Sequence, residues 1–267
     1  MNTFLKMAWR NIWRNKRRAM ITMASVFFAV FFALAMRSMQ LGSYDNMERN
    51  IVELFNGYIQ VHDSAYWENK SINNTLYYAD SLHDILLMNP NVREVIPRLE
   101  SFALASAGEL TKGVMLAGID PGPETALTGL RDRVIKGTYL EKDDDAVLLG
   151  QRLADYLKLD VNDTLVLLGQ GYHGISAAGK YPIKGIIRFP NPQLDAQICY
   201  MPVAATQYFL SADNRLTALV LDIRDRDALN QTVPALQEAV GPAYRVMSWR
   251  EMLPEVVQGI ESDNASG

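Results

Sequence analysis

Two glycine-rich phosphate-binding patterns overlap in the 267-residue chain, and they are the first residues whose spacing could do chemistry. Gly169, Gly171 and Gly174 satisfy G-x-G-x-x-G behind an apolar run, a pattern that aims backbone N–H groups at a pyrophosphate when a helix starts inside it. Here a strand-like alternation follows instead of a helix. Gly174, Gly179 and Lys180 fit the first part of a P-loop. Tyr181, however, stands where Ser or Thr would bind magnesium, and Pro182 follows it in strand-like sequence. A glycine-rich hairpin tip accounts for both patterns, and the chain is expected not to hydrolyse nucleotide.

Other reactive side chains are scattered. His62, His83 and His173 have no partner at metal-ligand spacing, so each reads as a surface or loop residue and no metal site is expected. Cys199 lies in an apolar strand pattern and reads as a buried thiol, since nothing nearby nominates a general base. No G-x-S-x-G or H-E-x-x-H motif occurs, and no catalytic or cofactor-binding residue is nominated.

The elements that would carry such residues fall into two physically different segments. The composition is that of a globular chain, 49% hydrophobic and 21% charged with one cysteine, which excludes disordered, collagen-like and disulfide-framework classes. A mean hydropathy of -0.05 excludes a chain that is mostly membrane-spanning. Before residue 37 there are six basic residues, Lys6, Arg10, Arg14, Lys16, Arg17 and Arg18, and no acidic one. The rest of the chain is acidic and has no basic stripe interleaved with aromatics, which argues against nucleic acid as a partner.

Residues 19–36 run without a charge, and at 1.5 Å per residue they form about 27 Å of helix, the thickness of a bilayer's hydrocarbon core. The basic cluster ahead of this transmembrane helix puts the amino terminus in the cytoplasm and the rest of the chain outside. The competing reading is a cleaved signal peptide, because Ala33, Leu34 and Ala35 fit a small-x-small cleavage pattern. Against it stands a structured leader. Phe4, Leu5, Ala8, Trp9, Ile12 and Trp13 recur at helical spacing, while Lys6, Arg10, Arg14 and Arg17 take another face. That describes an amphipathic helix over residues 1–18 in contact with membrane lipids, with Trp9 and Trp13 in the headgroup layer. Within the transmembrane helix, assigned to residues 19–42, Ser25, Ala29 and Ala33 form a small-residue stripe, and Phe27, Phe28, Phe31 and Phe32 crowd another side. The stripe suits close packing on another helix and is equally compatible with a simple anchor.

Residues 43–267 read as a second domain. A helix is expected over residues 42–55, and strands at 58–62, 101–106, 112–119, 147–149, 164–168, 181–189, 198–201 and 216–223. Helices are expected at 81–88, 152–157, 204–210 and 227–240, and Ser248 with Glu251 forms a capping box that opens a last one. The Pro- and Gly-rich residues 120–123 and the acidic run at 143–145 read as turns and solvated loop. Strands and helices do not alternate regularly, so the fold class is α+β, a mixed sheet in two lobes.

The run Ala8, Trp9, Arg10, Asn11, Ile12, Trp13, Arg14, Asn15, Lys16, Arg17, Arg18 ahead of an apolar helix resembles the opening of permease subunits in the lipoprotein-releasing and macrolide-exporter class of ABC transporters, the MacB-like or FtsX-like family. The order of Val147 to Gly150, Leu153 and Ala154, Leu159, Asp163, Thr164 to Leu168 and Pro182 to Ile187 is similar to that family's periplasmic core domain. So is Ile198 to Leu210 with Gln207. The resemblance implies an inner-membrane permease with a periplasmic core domain, no cofactor and no catalytic site of its own. It implies a separate cytoplasmic ABC ATPase subunit, a second permease subunit in a homo- or heterodimer, and a lipoprotein or periplasmic partner. It further implies that the amphipathic segment lies near the ATPase, that the Ser25, Ala29 and Ala33 stripe packs on sister helices, and that lipoprotein release is preferred to macrolide or peptide export. Family permeases carry three more membrane helices after this domain, so a fragment is expected here, with the helix at Ser248 leading back to the membrane. The alternative class is a single-pass anchored sensor or binding protein.

Overall fold

The computed structural model describes residues 7, 9, 10, 13–48 and 56–259. They belong to two compact units, one built on the amino-terminal helix and one spanning residues 49–258.

In the first unit, α1 (Lys16–Glu48) is a single uninterrupted helix of 33 residues, about 50 Å long at 1.5 Å per residue. Its Lys16–Met39 portion is long and apolar enough to cross a membrane, with a mean hydropathy of 2.3 over its best window. The helix expected at 42–55 is continuous with α1 as far as Glu48, and the remainder of that expectation lies outside the described residues. Two side-chain hydroxyls in the Lys16–Met39 portion bond back to the helix, as a hydrocarbon environment would require. Thr22 Oγ1 donates to the Arg18 carbonyl at 3.0 Å and Ser25 Oγ to the Thr22 carbonyl at 2.8 Å.

The second unit is organised by one long strand. Its elements in chain order are β1 (Ile59–Asp63), β2 (Leu76–Tyr77), α2 (Asp80–Leu87), β3 (Val92–Ala107), β4 (Leu110–Ile119), α3 (Pro121–Thr128), β5 (Val134–Gly137), β6 (Val147–Gly150), α4 (Gln151–Leu157), β7 (Thr164–Gln170), β8 (Ser176–Ile187), α5 (Pro192–Asp195), β9 (Ile198–Pro202), α6 (Val203–Leu210), β10 (Arg215–Leu216), β11 (Ala218–Ile223), α7 (Leu229–Val240), β12 (Tyr244–Ser248) and α8 (Trp249–Met252). The α+β mixed sheet is as expected.

Strand β3 changes partner along its length. Its first half pairs with β11, from Val92 to Arg98, and its second half with β7, from Ala103 to Ser106. Its other edge pairs with β4 through a two-residue turn in which Gly108 has φ +58°, as a type II′ hairpin requires. Pro97 sits where β3 has only β11 beside it, because β4 joins at Arg98, and a missing N–H costs no ladder bond at such an open edge.

From β4 the pairing runs to β9, β6, β8 and β7 and returns to β3, a closed ring of six strands. Closure pairs most of the ring on both sides, while β5, paired only with β8, and β12, paired only with β1, remain edge strands. On the other lobe, β11 carries β1 and β1 carries β12, all antiparallel. Two lobes sharing β3 follow from this change of partner. Ala103, Ala105, Leu116, Leu149, Leu167 and Cys199 alternate into one buried cluster that also holds Phe209 and Leu210 of α6. Helix α6 approaches β4 so closely that a Cβ on Gly118 would lie 2.6 Å from the Thr206 side chain. On the opposite face Ala117, Ile119, Leu148 and Tyr200 form a second cluster.

Candidate functional site

The partner change of β3 leaves a fork. Between Arg98, the last residue paired to β11, and Ala103, the first paired to β7, residues 99–102 have no strand on that side. Thr217 knits the fork instead. Its N–H donates to the Arg98 carbonyl at 3.0 Å, its Oγ1 accepts the Glu100 N–H at 2.8 Å, and its carbonyl accepts from His62 Nδ1 at 2.7 Å. A cleft of about 280 Å³ opens there, floored by Gln60, His62 and Tyr66 and rimmed by Trp67, Lys70 and Phe102. Asn56, at the chain's entry into the described part of this unit, and Leu253, near its exit, also line it.

His62 corrects the sequence expectation, since it is a buried strand residue, 2% exposed, and not a surface one. The period-2 pattern of β1 sends Ile59 and Val61 into the main core and Gln60 and His62 to the cleft face. The His62 ring stacks on Tyr66 at 5.2 Å and tilts against Trp67 at 5.4 Å. Because a carbonyl only accepts, the contact with Thr217 fixes Nδ1 as the protonated nitrogen, and Nε2 is then a lone-pair acceptor. It is buried without a hydrogen-bond partner among the described residues. Burial, aided by Lys70 and Arg245, pushes the His62 pKa down to about 4, against the pull of the Thr217 carbonyl. At neutral pH the ring is uncharged.

A charged cluster backs the cleft. Arg98 and Glu124 are each 1% exposed and pair bidentately, Nε to Oε2 at 3.0 Å and Nη2 to Oε1 at 2.7 Å. Burial opposes the Arg98 charge, and the Glu124 carboxylate outweighs it, so the guanidinium is held ionised. Glu124 comes from α3, where an Asp-Pro-Gly-Pro turn was expected; the segment is a helix because Pro121 takes the first position, where no N–H is needed. Glu100 Oε1 lies 3.8 Å from Arg98 Nη1, in the cleft wall, and lacks a hydrogen-bond partner among the described residues. Burial drives the Glu100 carboxyl upward in pKa, with Arg98 and Lys70 opposing.

The phosphate-binding patterns resolve as a hairpin tip between β7 and β8, closed by a single 3-10 turn at Tyr172–Gly174 instead of an α-helix. Gly171 fits because a Cβ would lie 2.4 Å from the Leu210 carbonyl, and the next turn has His173 at φ +54° and Gly174 at φ +79°. Tyr181 and Pro182 are strand residues, Tyr181 buried. Cys199 is fully buried, and burial raises its pKa far from thiolate chemistry. His83 is on α2, half-buried beside Asp84, and no group of three metal-ligating side chains occurs among the described residues.

In the first unit, Trp9, Arg10, Trp13 and Arg14 are helical and exposed, and the Trp9 and Trp13 rings lie 5.9 Å apart, one turn along. Lys16 Nζ stands 5.5 Å from the Trp13 ring, and Arg17 and Arg18 follow on α1, also exposed. Phe4 lies outside the described residues. Ser25, Ala29 and Ala33 are all exposed on α1, as are the phenylalanines, which stack as Phe27 on Phe31 and Phe28 on Phe32, both at 6.2 Å.

Residues 19–239 match the family described as the MacB-like periplasmic core domain. Among curated proteins, the chain is 22% identical over 234 residues to the lipoprotein-releasing system transmembrane protein LolE of Haemophilus influenzae, covering 84% of this chain and 56% of that one. It is 25% identical over 172 residues to the lipoprotein-releasing system transmembrane protein LolC of Xylella fastidiosa, covering 62% of this chain and 41% of that one. The chain thus spans about half the length of the curated relatives it matches. Among solved structures, the periplasmic region of MacB from Actinobacillus actinomycetemcomitans superposes with a TM-score of 0.52 at 12% identity, covering 78% of this chain and 94% of that one. The extracellular domain of the noncanonic ABC-type transporter YknZ from Gram-positive bacteria gives 0.50 at 15% identity, covering 72% and 100%. These structural likenesses establish the fold.

Proposed function

The chain belongs to the MacB-like periplasmic core domain family, and from that premise we propose that it acts as a permease subunit of an ABC transporter. In this reading it carries ATP-driven motion from a separate cytoplasmic ATPase to a periplasmic domain and releases lipoproteins from the inner membrane. The observation that carries the reading is that one family match runs unbroken from the apolar helix at residue 19 into the sheet domain at residue 239. The substrate class is supported by LolE and LolC, both described as lipoprotein-releasing.

The physical arrangement suits transmission of force. Helix α1 continues without a kink for nine residues beyond Met39, the end of its membrane-crossing portion, to Glu48, and an unbroken helix carries a displacement along its axis without absorbing it at a hinge. The basic residues Arg10, Arg14, Lys16, Arg17 and Arg18 hold the amino terminus in the cytoplasm, where the Trp9 and Trp13 segment rests at the inner surface near the ATPase. Ser25, Ala29 and Ala33 let a helix of the second permease subunit approach closely. The periplasmic domain engages the lipoprotein or a periplasmic partner.

The test is ATP hydrolysis by the complex purified with the full-length gene product and reconstituted into lipid nanodiscs. Lipoprotein should change the hydrolysis rate, and Ala29→Phe should uncouple that response. A complex without ATPase activity, or a chain that purifies with a signalling protein alone, would transfer the assignment to a membrane-anchored sensor.

A further inference from the structure

The cleft at the fork of β3 is a built site whose two unpaired side-chain atoms ask for the same kind of ligand. His62 is 2% exposed, and its Nε2 lacks a partner among the described residues while Nδ1 is committed to Thr217. A buried acceptor left unpaired forfeits the hydrogen bond that water would have supplied. Glu100 Oε1, in the same wall, also lacks a hydrogen-bond partner, with Arg98 Nη1 3.8 Å away. Two acceptors in one wall call for a ligand that donates hydrogen bonds. The walls agree, since Tyr66, Trp67 and Phe102 present rings, and an ammonium over an aromatic face gains further. The Lys70 ammonium already stands 3.8 Å over the Trp67 ring, so the face attracts that chemistry within the chain itself.

The rim differs from the floor. Lys70 is exposed at the mouth and supplies a positive charge there. Beside it Phe102 is 76% exposed, with Met115 and Leu253 completing an apolar lip. The floor therefore carries acceptors and aromatic faces, and the mouth carries a cation together with apolar surface. A complementary ligand has an ammonium at one end and an anion with an apolar body at the other. About 280 Å³ is the size of a headgroup and not of a folded peptide segment.

We propose that this cleft binds the phosphoethanolamine headgroup of a membrane phospholipid, with its ammonium donating to His62 Nε2 and Glu100, its phosphate paired with Lys70, and its acyl-glycerol end against Phe102 and Leu253. This goes beyond the permease reading and does not depend on the ATPase. Because the required group is an N–H donor, the cleft distinguishes a primary ammonium from a trimethylammonium of the same charge. Arg98 and Glu124 position Glu100 from behind without touching the ligand.

The test uses the full chain in dodecyl maltoside, titrated by calorimetry with dihexanoyl phosphatidylethanolamine, dihexanoyl phosphatidylcholine, dihexanoyl phosphatidylglycerol and free O-phosphoethanolamine. The ethanolamine lipid should bind at least about tenfold more tightly than the choline lipid, the loss of one charge-assisted hydrogen bond. His62→Asn should narrow that preference, since its amide can still donate to the Thr217 carbonyl but puts no acceptor at the Nε2 position, and an unchanged preference would overturn the role given to His62. Equal affinity for the ethanolamine and choline lipids on the wild-type chain would overturn the proposal without any variant. Tighter binding of the glycerol lipid would overturn it too, as would free O-phosphoethanolamine binding as tightly as the lipid, which would make the site one for a soluble zwitterion.

Discussion

His62 makes stability in mild acid a readout of the fork. In the folded chain its pKa is held at about 4 against an ordinary value of 6.5, chiefly by burial and further by Lys70 and Arg245. The unfolded chain takes up a proton near pH 6.5 while the folded chain refuses it until about pH 4, so stability falls as pH drops through that window. Across the whole window the loss is about 3 kcal/mol, and between pH 7 and pH 5 about 2 kcal/mol. Glu100 works in the opposite sense, because its raised pKa makes the folded chain bind a proton before the unfolded one does. The difference between the wild type and His62→Asn, and not the wild-type slope alone, therefore isolates the histidine. The assay is urea unfolding of the full chain in dodecyl maltoside at pH 7, 6 and 5, followed by the fluorescence of Trp67 and Trp249. The variant should lose about 2 kcal/mol less than the wild type on going from pH 7 to pH 5. Parallel pH profiles for the two chains would refute the assignment of a buried, neutral His62.

Arg98→Met should lower unfolding free energy by about 3–5 kcal/mol, because it strands the buried Glu124 carboxylate; combining it with Glu124→Leu should recover most of that loss, measured by the same urea titration. Gly118→Val should destabilise the domain by about 1–3 kcal/mol or more through collision with Thr206, and Thr206→Gly in the same chain should relieve part of the cost. Changing Arg14, Lys16, Arg17 and Arg18 together to glutamine should produce a fraction of inverted chains, scored by labelling a cysteine introduced at the exposed position Glu109 from either side of the membrane, whereas uniform orientation would count against the charge argument.

Much of the fold was legible in the sequence where a pattern was local. The apolar helix, the glycine-rich tip at Gly171 and the capping box of Ser248 with Glu251 each carry their cause within a few residues. The first half of β3 was not legible. Arg93, Glu94, Pro97 and Arg98 break its alternation, and Arg98 is tolerated inside only because Glu124, 26 residues later, neutralises it. Strand β11 read as one run from 216, yet Thr217 interrupts it to join the fork. The cleft had no sequence signature for the same reason. His62, Glu100 and Thr217 meet only because β3 exchanges β11 for β7 between Arg98 and Ala103, a consequence of pairing that no local spacing encodes. The helix at Pro121 was misread because proline before glycine usually marks a turn, whereas proline at the first helical position is equally well accommodated.

The most direct measurement of the central claim is affinity purification of the tagged full-length gene product from detergent-solubilised membranes, with mass spectrometry of what accompanies it. An ATP-binding-cassette ATPase and a second permease subunit in stoichiometric amounts are the predicted result. A chain recovered without any such ATPase, in membranes where the protein is folded and correctly inserted, would contradict the permease assignment.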